Sequence, residues 1–171
     1  MPDDLPPHPA MLLPEILLKD CKIERTRASG PGGQHRNKVE TAIRVTHLPT
    51  GIHAQASERR SQAENQKVAI FRLRINLAMD DCSEYCSSFP TKLWQSRSHG
   101  KRIACNPKHN DFPALLAEAM MVMRANEFNP AAAGKVLNVS TSQLIKFLKD
   151  APHAFERVNQ KRKALNLHPL R

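Results

Sequence analysis

The sequence predicts an α+β chain, in which a small β-sheet or hairpin packs on one helix and a C-terminal helical, helix-turn-helix-like module follows. Three observations predict it. Ile43, Val45 and His47 alternate with Arg44 and Thr46; past Pro49-Thr50-Gly51, Ile52, Ala54 and Ala56 alternate with His53, Gln55 and Ser57. Period-two alternation on both sides of turn residues is the pattern of a half-buried β-hairpin. Ser61 followed by Glu64 makes a capping box, after which apolar residues recur at helical spacing. Beyond residue 111 the helical spacing returns, punctuated by Asn129-Pro130, Ser140 and Pro152, each a helix-start signal.

Taken in order, residues 1–20 read as a mobile, proline-rich N-terminus, with one helical turn over Glu15 to Lys19. Ile23 to Ala28 has a weak strand pattern, and Asn37 to Thr41 suits a single helical turn. Pro49 and Gly51 fit positions i+1 and i+3 of a type I turn. The helix after Ser61 places Val68, Phe71, Ile75 and Ala78 on one stripe, flanked by Ile70, Leu73 and Leu77, to cover the hairpin; Lys67, Arg72 and Arg74 are expected outside. Residues 81–110 show no sustained period and read as an irregular linker. Phe112 to Asn126 carries Leu116, Ala119, Met120 and Met123 on one face. Pro152 opens a last helix with Phe155, Val158 and Leu165. The division is therefore 1–20, 21–80, 81–110 and 111–171.

The charge narrows the choice of partner. The 171 residues carry a formal net charge of +10, which favours a polyanion. Residues 19–74 hold 12 Lys/Arg against 5 Asp/Glu, and residues 151–171 hold 5 against 1. No apolar stretch approaches the ~20 residues of a membrane span. The acidic, proline-broken start is unlike a secretory or transit leader, so a cytoplasmic protein with reduced cysteines is expected.

The densest motif is Arg27-Ala28-Ser29-Gly30-Pro31-Gly32-Gly33-Gln34-His35-Arg36-Asn37-Lys38. Glycines permit close backbone approaches that a Cβ forbids, and cations flank a single amide. Gly30-Pro31-Gly32-Gly33 formally matches the GXXG of an RNA-binding KH domain, but the proline and the hairpin downstream do not fit it. The spacing matches neither the dinucleotide fingerprint nor the P-loop. Downstream come Thr41-Ala42-Ile43-Arg44-Val45-Thr46-His47, Pro49-Thr50-Gly51-Ile52, and Glu58-Arg59-Arg60-Ser61-Gln62 with Asn65 and Lys67. In this order, across residues 22–78, the chain resembles the GGQ catalytic domain of class I peptide chain release factors.

That resemblance implies hydrolysis of the ester between nascent peptide and tRNA on the large ribosomal subunit, with catalysis shared with ribosomal RNA. Residues 21–80 would be the catalytic domain. Gly32, Gly33 and Gln34 would be the catalytic residues, the Gln34 backbone N–H stabilising developing charge and its side chain shaping water's access. Gln34 would also be a candidate for N-methylation. The RNA contacts would be Arg27, Ser29, His35, Arg36, Asn37, Lys38, Arg44, Arg59, Arg60 and Gln62. No cofactor and no metal is expected. The partners would be the ribosome, through its large-subunit RNA and the peptidyl-tRNA, with no membrane. A further protein or nucleic-acid partner through residues 111–171 is open, and a monomer is expected.

Full-length release factors carry a stop-codon recognition domain with its own tripeptide motif, which this sequence lacks. The resemblance is thus to the short, codon-independent members that rescue stalled ribosomes, although Lys161-Arg162-Lys163 sits in a helical pattern rather than a free basic tail. Two alternatives stand beside it: a non-enzymatic RNA- or DNA-binding regulator, and a release factor that needs a separate decoding partner. Asn138 between two helices tolerates the left-handed conformation of a helix-turn-helix turn, yet the segment is not strongly basic, and a structural three-helix cap or an RNA and protein docking module is favoured. Cys82-x3-Cys86 and Cys105-x3-His109, with His99 between, are spaced more loosely than a zinc knuckle and leave zinc binding open.

Overall fold

The structure, a computed structural model, describes residues 6–26, 42–80 and 88–171. It divides into two compact units, Pro9–Leu77 and one formed chiefly by Ala78–Arg171.

In the first unit a short helix α1 (Pro14–Leu17) leads into a three-stranded antiparallel sheet, β1 (Cys21–Thr26), β2 (Ala42–His47) and β3 (His53–Ala56), in that spatial order. Register follows the alternation. Ile43 stands opposite Ala56 and Val45 opposite Ala54, and all four are buried on one face. Arg44 and Gln55 are paired on the other, solvent-facing side. The hairpin closes through the Gly51 N–H to the His47 carbonyl, 2.8 Å, with Gly51 at φ +70°. This turn is one residue wider than the type I turn expected, and its positive φ is the reason for a glycine there. Thr50 Oγ1 accepts the Ile52 N–H and lies 2.9 Å from His47 Nδ1.

Helix α2 (Gln62–Ala78) begins where the capping box places it, the Ser61 hydroxyl accepting the Glu64 N–H. Its buried side differs from the expected stripe. Asn65, Ala69, Ile70, Leu73, Arg74, Leu77 and Ala78 are buried, while Val68, Phe71 and Ile75 are only half-buried. Apolar residues at 68, 70, 71, 73, 75 and 77 wrap most of the circumference, so their pattern does not choose a face. Packing chooses it, and Arg74 comes with it. The guanidinium expected outside is 6% exposed, its Nε donating to the Ala10 carbonyl at 3.1 Å. That bond, with Ala10 and Leu17 wholly buried, ties part of the proline-rich N-terminal segment to the core of this unit.

The second unit is helical. Residues 88–110, read as irregular, instead hold α3 (Lys92–Arg97) and a hairpin of β4 (Ser98–His99) and β5 (Arg102–Ile103). Thr91 caps α3. Trp94 is fully buried; its Nε1–H donates to the Leu137 carbonyl at 2.9 Å, and its ring meets Phe147 edge-on at 5.7 Å. Phe112 lies 5.1 Å from the same Phe147. A buried aromatic with a satisfied donor outweighs weak local periodicity.

Helix α4 (Phe112–Ala125) is buried on nearly every side rather than on one face. Its acid Glu118 accepts both the N–H and the hydroxyl of Thr91, and burial pushes its carboxyl above the usual range despite those two bonds. Helix α5 (Pro130–Val136) is capped by Asn129, and α6 (Thr141–Lys149) by Ser140. Between them Asn138 has φ +54°, as the turn requires. A Cβ on Gly134 would stand 2.9 Å from the Val139 carbonyl oxygen, so only glycine lets the turn fold back this closely. Helix α7 (Pro152–Ala164) buries Ala154 and Val158, while Phe155 is half-buried and Leu165 exposed. After it the chain turns back: Asn159 bonds the Leu170 backbone in both directions and Arg162 Nε donates to the His168 carbonyl.

Candidate functional site

The site begins at a pair of strand ends. Thr26, the last residue of β1, is directly opposite Ala42, the first residue of β2. The segment between them therefore leaves and rejoins the sheet at neighbouring points. Arg27, Ser29, Gly32, Gly33, Gln34, His35, Arg36, Asn37 and Lys38 fall in that segment and lie outside the described residues. What the structure supplies is their base: an antiparallel pair running six residues deep, from Cys21↔His47 to Thr26↔Ala42.

Arg44 is exposed on the outer face of β2, opposite Glu24 and Gln55 on the flanking strands. Glu24 is bonded first to Lys22, at 2.9 Å, and that bond and charge hold its carboxyl below the usual range, with Arg44 a smaller contributor. Arg59 and Arg60 are exposed on the loop before α2, and Gln62 is half-buried as the first residue of that helix. Neither arginine has an acidic partner among the described residues.

Their position is set by a residue the sequence reading quoted without a role. Asn65 is fully buried; its Oδ1 accepts the Arg59 N–H at 2.9 Å and its Nδ2 donates to the Arg59 carbonyl at 2.9 Å. One amide thus satisfies both polar groups of a loop residue that no strand or helix would pair. The available signal was a polar residue four positions before Ala69 on the buried face of the helix. Three other α2 side chains also reach backbone carbonyls: Arg72 that of Gln55, Arg74 that of Ala10 and Asn76 that of His53. Arg72 further pairs with Glu58 at 2.7 Å. Burial pushes the Glu58 carboxyl up, but the Arg72 bond and nearby backbone N–H groups outweigh it and hold it low. The loop carrying Arg59 and Arg60 is therefore anchored at both ends, leaving their two charges presented to solvent.

No group of three or more His, Cys, Asp or Glu side chains among the described residues is arranged to hold a metal. Cys82 and Cys86 lie outside those residues. His109 is engaged elsewhere, its Nδ1 accepting the Asp111 N–H and its Nε2 facing Arg97, which is paired with Asp111. Cys105 is half-buried, and burial pushes its thiol up. Among the described residues no helix is long and apolar enough to cross a membrane.

The family model described as the RF-1 domain matches residues 12–104, just over half of the chain. Peptide chain release factor 2 of Campylobacter concisus is 54% identical over 63 residues, covering 37% of this chain and 17% of that protein. The chloroplastic release factor PrfB1 of Arabidopsis thaliana is 51% identical over 63 residues, 37% of this chain and 14% of its own length. The mitochondrial release factor 1-like protein of Rattus norvegicus is 44% identical over 71 residues, covering 42% and 19%. The chain thus spans less than a fifth of the length of these curated relatives. The family match runs past the sheet–helix unit and ends just beyond the β4–β5 hairpin.

Proposed function

The chain belongs to the RF-1 domain family, the class I peptide chain release factors, and from that premise we propose that it hydrolyses the peptidyl-tRNA ester on the ribosome, without reading a codon. The observation that carries the reading is Gly32-Gly33-Gln34 within the family match, on a segment whose two ends are paired at Thr26 and Ala42. A loop that must enter a narrow catalytic cavity benefits from a rigid, closed base, because freedom at the base would be lost again on binding.

The residues support positioning chemistry rather than a stand-alone hydrolase. Residues 27–38 hold no carboxylate and no cysteine, so the segment brings neither an acidic base nor a thiol nucleophile of its own. In the proposed mechanism the Gln34 backbone N–H donates to the oxygen on which charge develops, while its side chain limits which water attacks. Water adds to the ester carbonyl, the bond to the tRNA ribose oxygen breaks, and that oxygen leaves with a proton. Ribosomal RNA would supply the remaining groups. Arg27, Arg36, Lys38, Arg44, Arg59 and Arg60 would meet RNA phosphates, with Ser29, His35, Asn37 and Gln62 adding hydrogen bonds.

Codon independence is the finer part of the proposal. Its support is that the chain after the sheet–helix unit folds as a helix-turn-helix-like bundle around Trp94. The test is release of labelled peptide from ribosomes with a vacant A site, with and without a stop codon. Wild type should release in both cases; Gln34→Pro, which removes the backbone N–H, should lower the rate at least about 100-fold, the scale of losing one oxyanion donor, and Gln34→Ala, which removes only the side chain, should lower it measurably. Release only with a stop codon would overturn codon independence. No release by wild type would favour a non-enzymatic RNA-binding role.

A further inference from the structure

The helical unit carries a charged surface to which the proposed peptide release assigns no role. The β4–β5 hairpin exposes His99, Lys101 and Arg102. Its Lys101 carbonyl accepts the Ser140 N–H at 2.9 Å, and β5 packs against α6. The hairpin tip is thereby fixed beside the N-cap of α6. On the helices themselves Lys135 of α5 and Lys146 of α6 are exposed, with Ser142 exposed one turn before Lys146.

Among the described residues few acids lie near these cations, the exposed Asp150 at the end of α6 being the nearest to Lys146 in sequence. Residues 88–110 and 129–149 contain no Asp or Glu. Between those stretches Asp111 is paired with Arg97 and Glu118 is buried on Thr91, which leaves Glu127. Lys101, Arg102, Lys135 and Lys146 form no ion pair with any described residue. Such a field repels itself within the folded protein and is relieved by an external polyanion.

We infer that the hairpin and α6 together form a docking surface for an RNA double helix, gripped through its phosphates. Three features select that occupant. Lys101, Arg102 and Lys146 sit on two elements joined by the Ser140–Lys101 backbone bond, so their spacing is pre-set. Trp94, Phe112 and Phe147 are packed on one another in the core, and of the unit's other described phenylalanines Phe128 is buried and Phe89 and Phe155 are half-buried, whereas single-strand binding relies on exposed rings for stacking. The start of α6 offers Thr141, Ser142 and Gln143 but no cation, which suits contact with backbone more than arginine-based reading of bases. The choice of RNA over DNA rests on the ribosomal reading above.

The experiment measures binding of the full chain to a protein-free RNA duplex of about 20 base pairs, to its single strand and to the matching DNA duplex. Salt is varied from about 50 to 200 mM, because each phosphate contact adds about 0.9 to the salt slope for B-form DNA and a comparable step here. Simultaneous Lys101→Ala, Arg102→Ala and Lys146→Ala should weaken RNA duplex binding about 10-fold or more and flatten the slope by about two to three. Lys101→Arg with Lys146→Arg should keep both affinity and slope. An unchanged slope in the triple alanine variant overturns the surface, as does equal loss in the arginine variant. Tighter binding of DNA or of the single strand overturns the RNA-helix assignment. Gln34→Ala should bind the duplex like wild type, so a failure of peptide release and a failure of this surface are read separately.

Discussion

The two units hold themselves together by different means. In the sheet–helix unit alanines make up nearly half of the buried apolar residues: Ala10, Ala42, Ala54, Ala56 and Ala69 sit with Leu17, Ile43, Val45, Ile70, Leu73 and Leu77. Four polar side chains of α2 then reach backbone carbonyls of the sheet and loops. The helical unit instead packs Trp94, Phe112 and Phe147 against a central helix that is apolar almost all round. A core nearly half alanine and without a buried aromatic buries less area per residue, about 25 cal/mol per Å² being available, so directed hydrogen bonds carry more of the specification there. The lesson is that the unit proposed to present the reactive segment is organised for placing loops, and the other for burial.

Mutations can break this contrast. The largest effect is expected from Trp94→Ala, which empties a core site and leaves the Leu137 carbonyl without its donor. Urea unfolding of the full chain should show a loss of about 3–5 kcal/mol; a loss under about 1 kcal/mol would mean the helical unit does not depend on aromatic burial. Asn65→Ala comes next. It orphans both backbone groups of Arg59 and should cost about 2–3 kcal/mol, with faster amide exchange at Arg59. Unchanged exchange there would show the amide to be incidental to the loop.

The smallest effect sharpens the contrast through pH. Glu118 has its carboxyl raised by burial. The folded protein then holds that proton more tightly than the unfolded chain does. This contribution is fully present below the ordinary carboxylate value of about 4.3 and is lost as pH rises through the raised folded value. Glu118→Gln keeps a side chain of the same shape and removes the titration. Relative to this variant, wild type should gain stability as pH falls from 7 toward 5. Parallel pH profiles for the two proteins would rule out Glu118 as a strained acid in the core.

The hairpin, both helix caps at Ser61 and Ser140, and the Asn129-Pro130 start were legible because each is written in a short, continuous stretch of the chain. Arg74 and Trp94 were not. Arg74 is buried because the Ala10 carbonyl, 64 residues away, receives its Nε–H. Trp94 turns an apparently patternless stretch into core because it meets Leu137 and Phe147. At the site, Arg59 and Arg60 were readable as cations in a motif, whereas the amide that positions their loop was visible only as a polar residue out of pattern.

The amino-acid sequence by itself determined the α+β class, the family through the order of motifs across residues 22–78, and the basic character that calls for a polyanion. These are properties of local pattern and composition. Only the tertiary structure decided which face of α2 is buried, that Thr26 and Ala42 close the base of the Gly32-Gly33-Gln34 segment, and that Lys101 sits against Ser140. Each of those is a contact between residues far apart in the chain. Such contacts form by shape and by the need to satisfy buried polar groups, which a one-dimensional period does not encode.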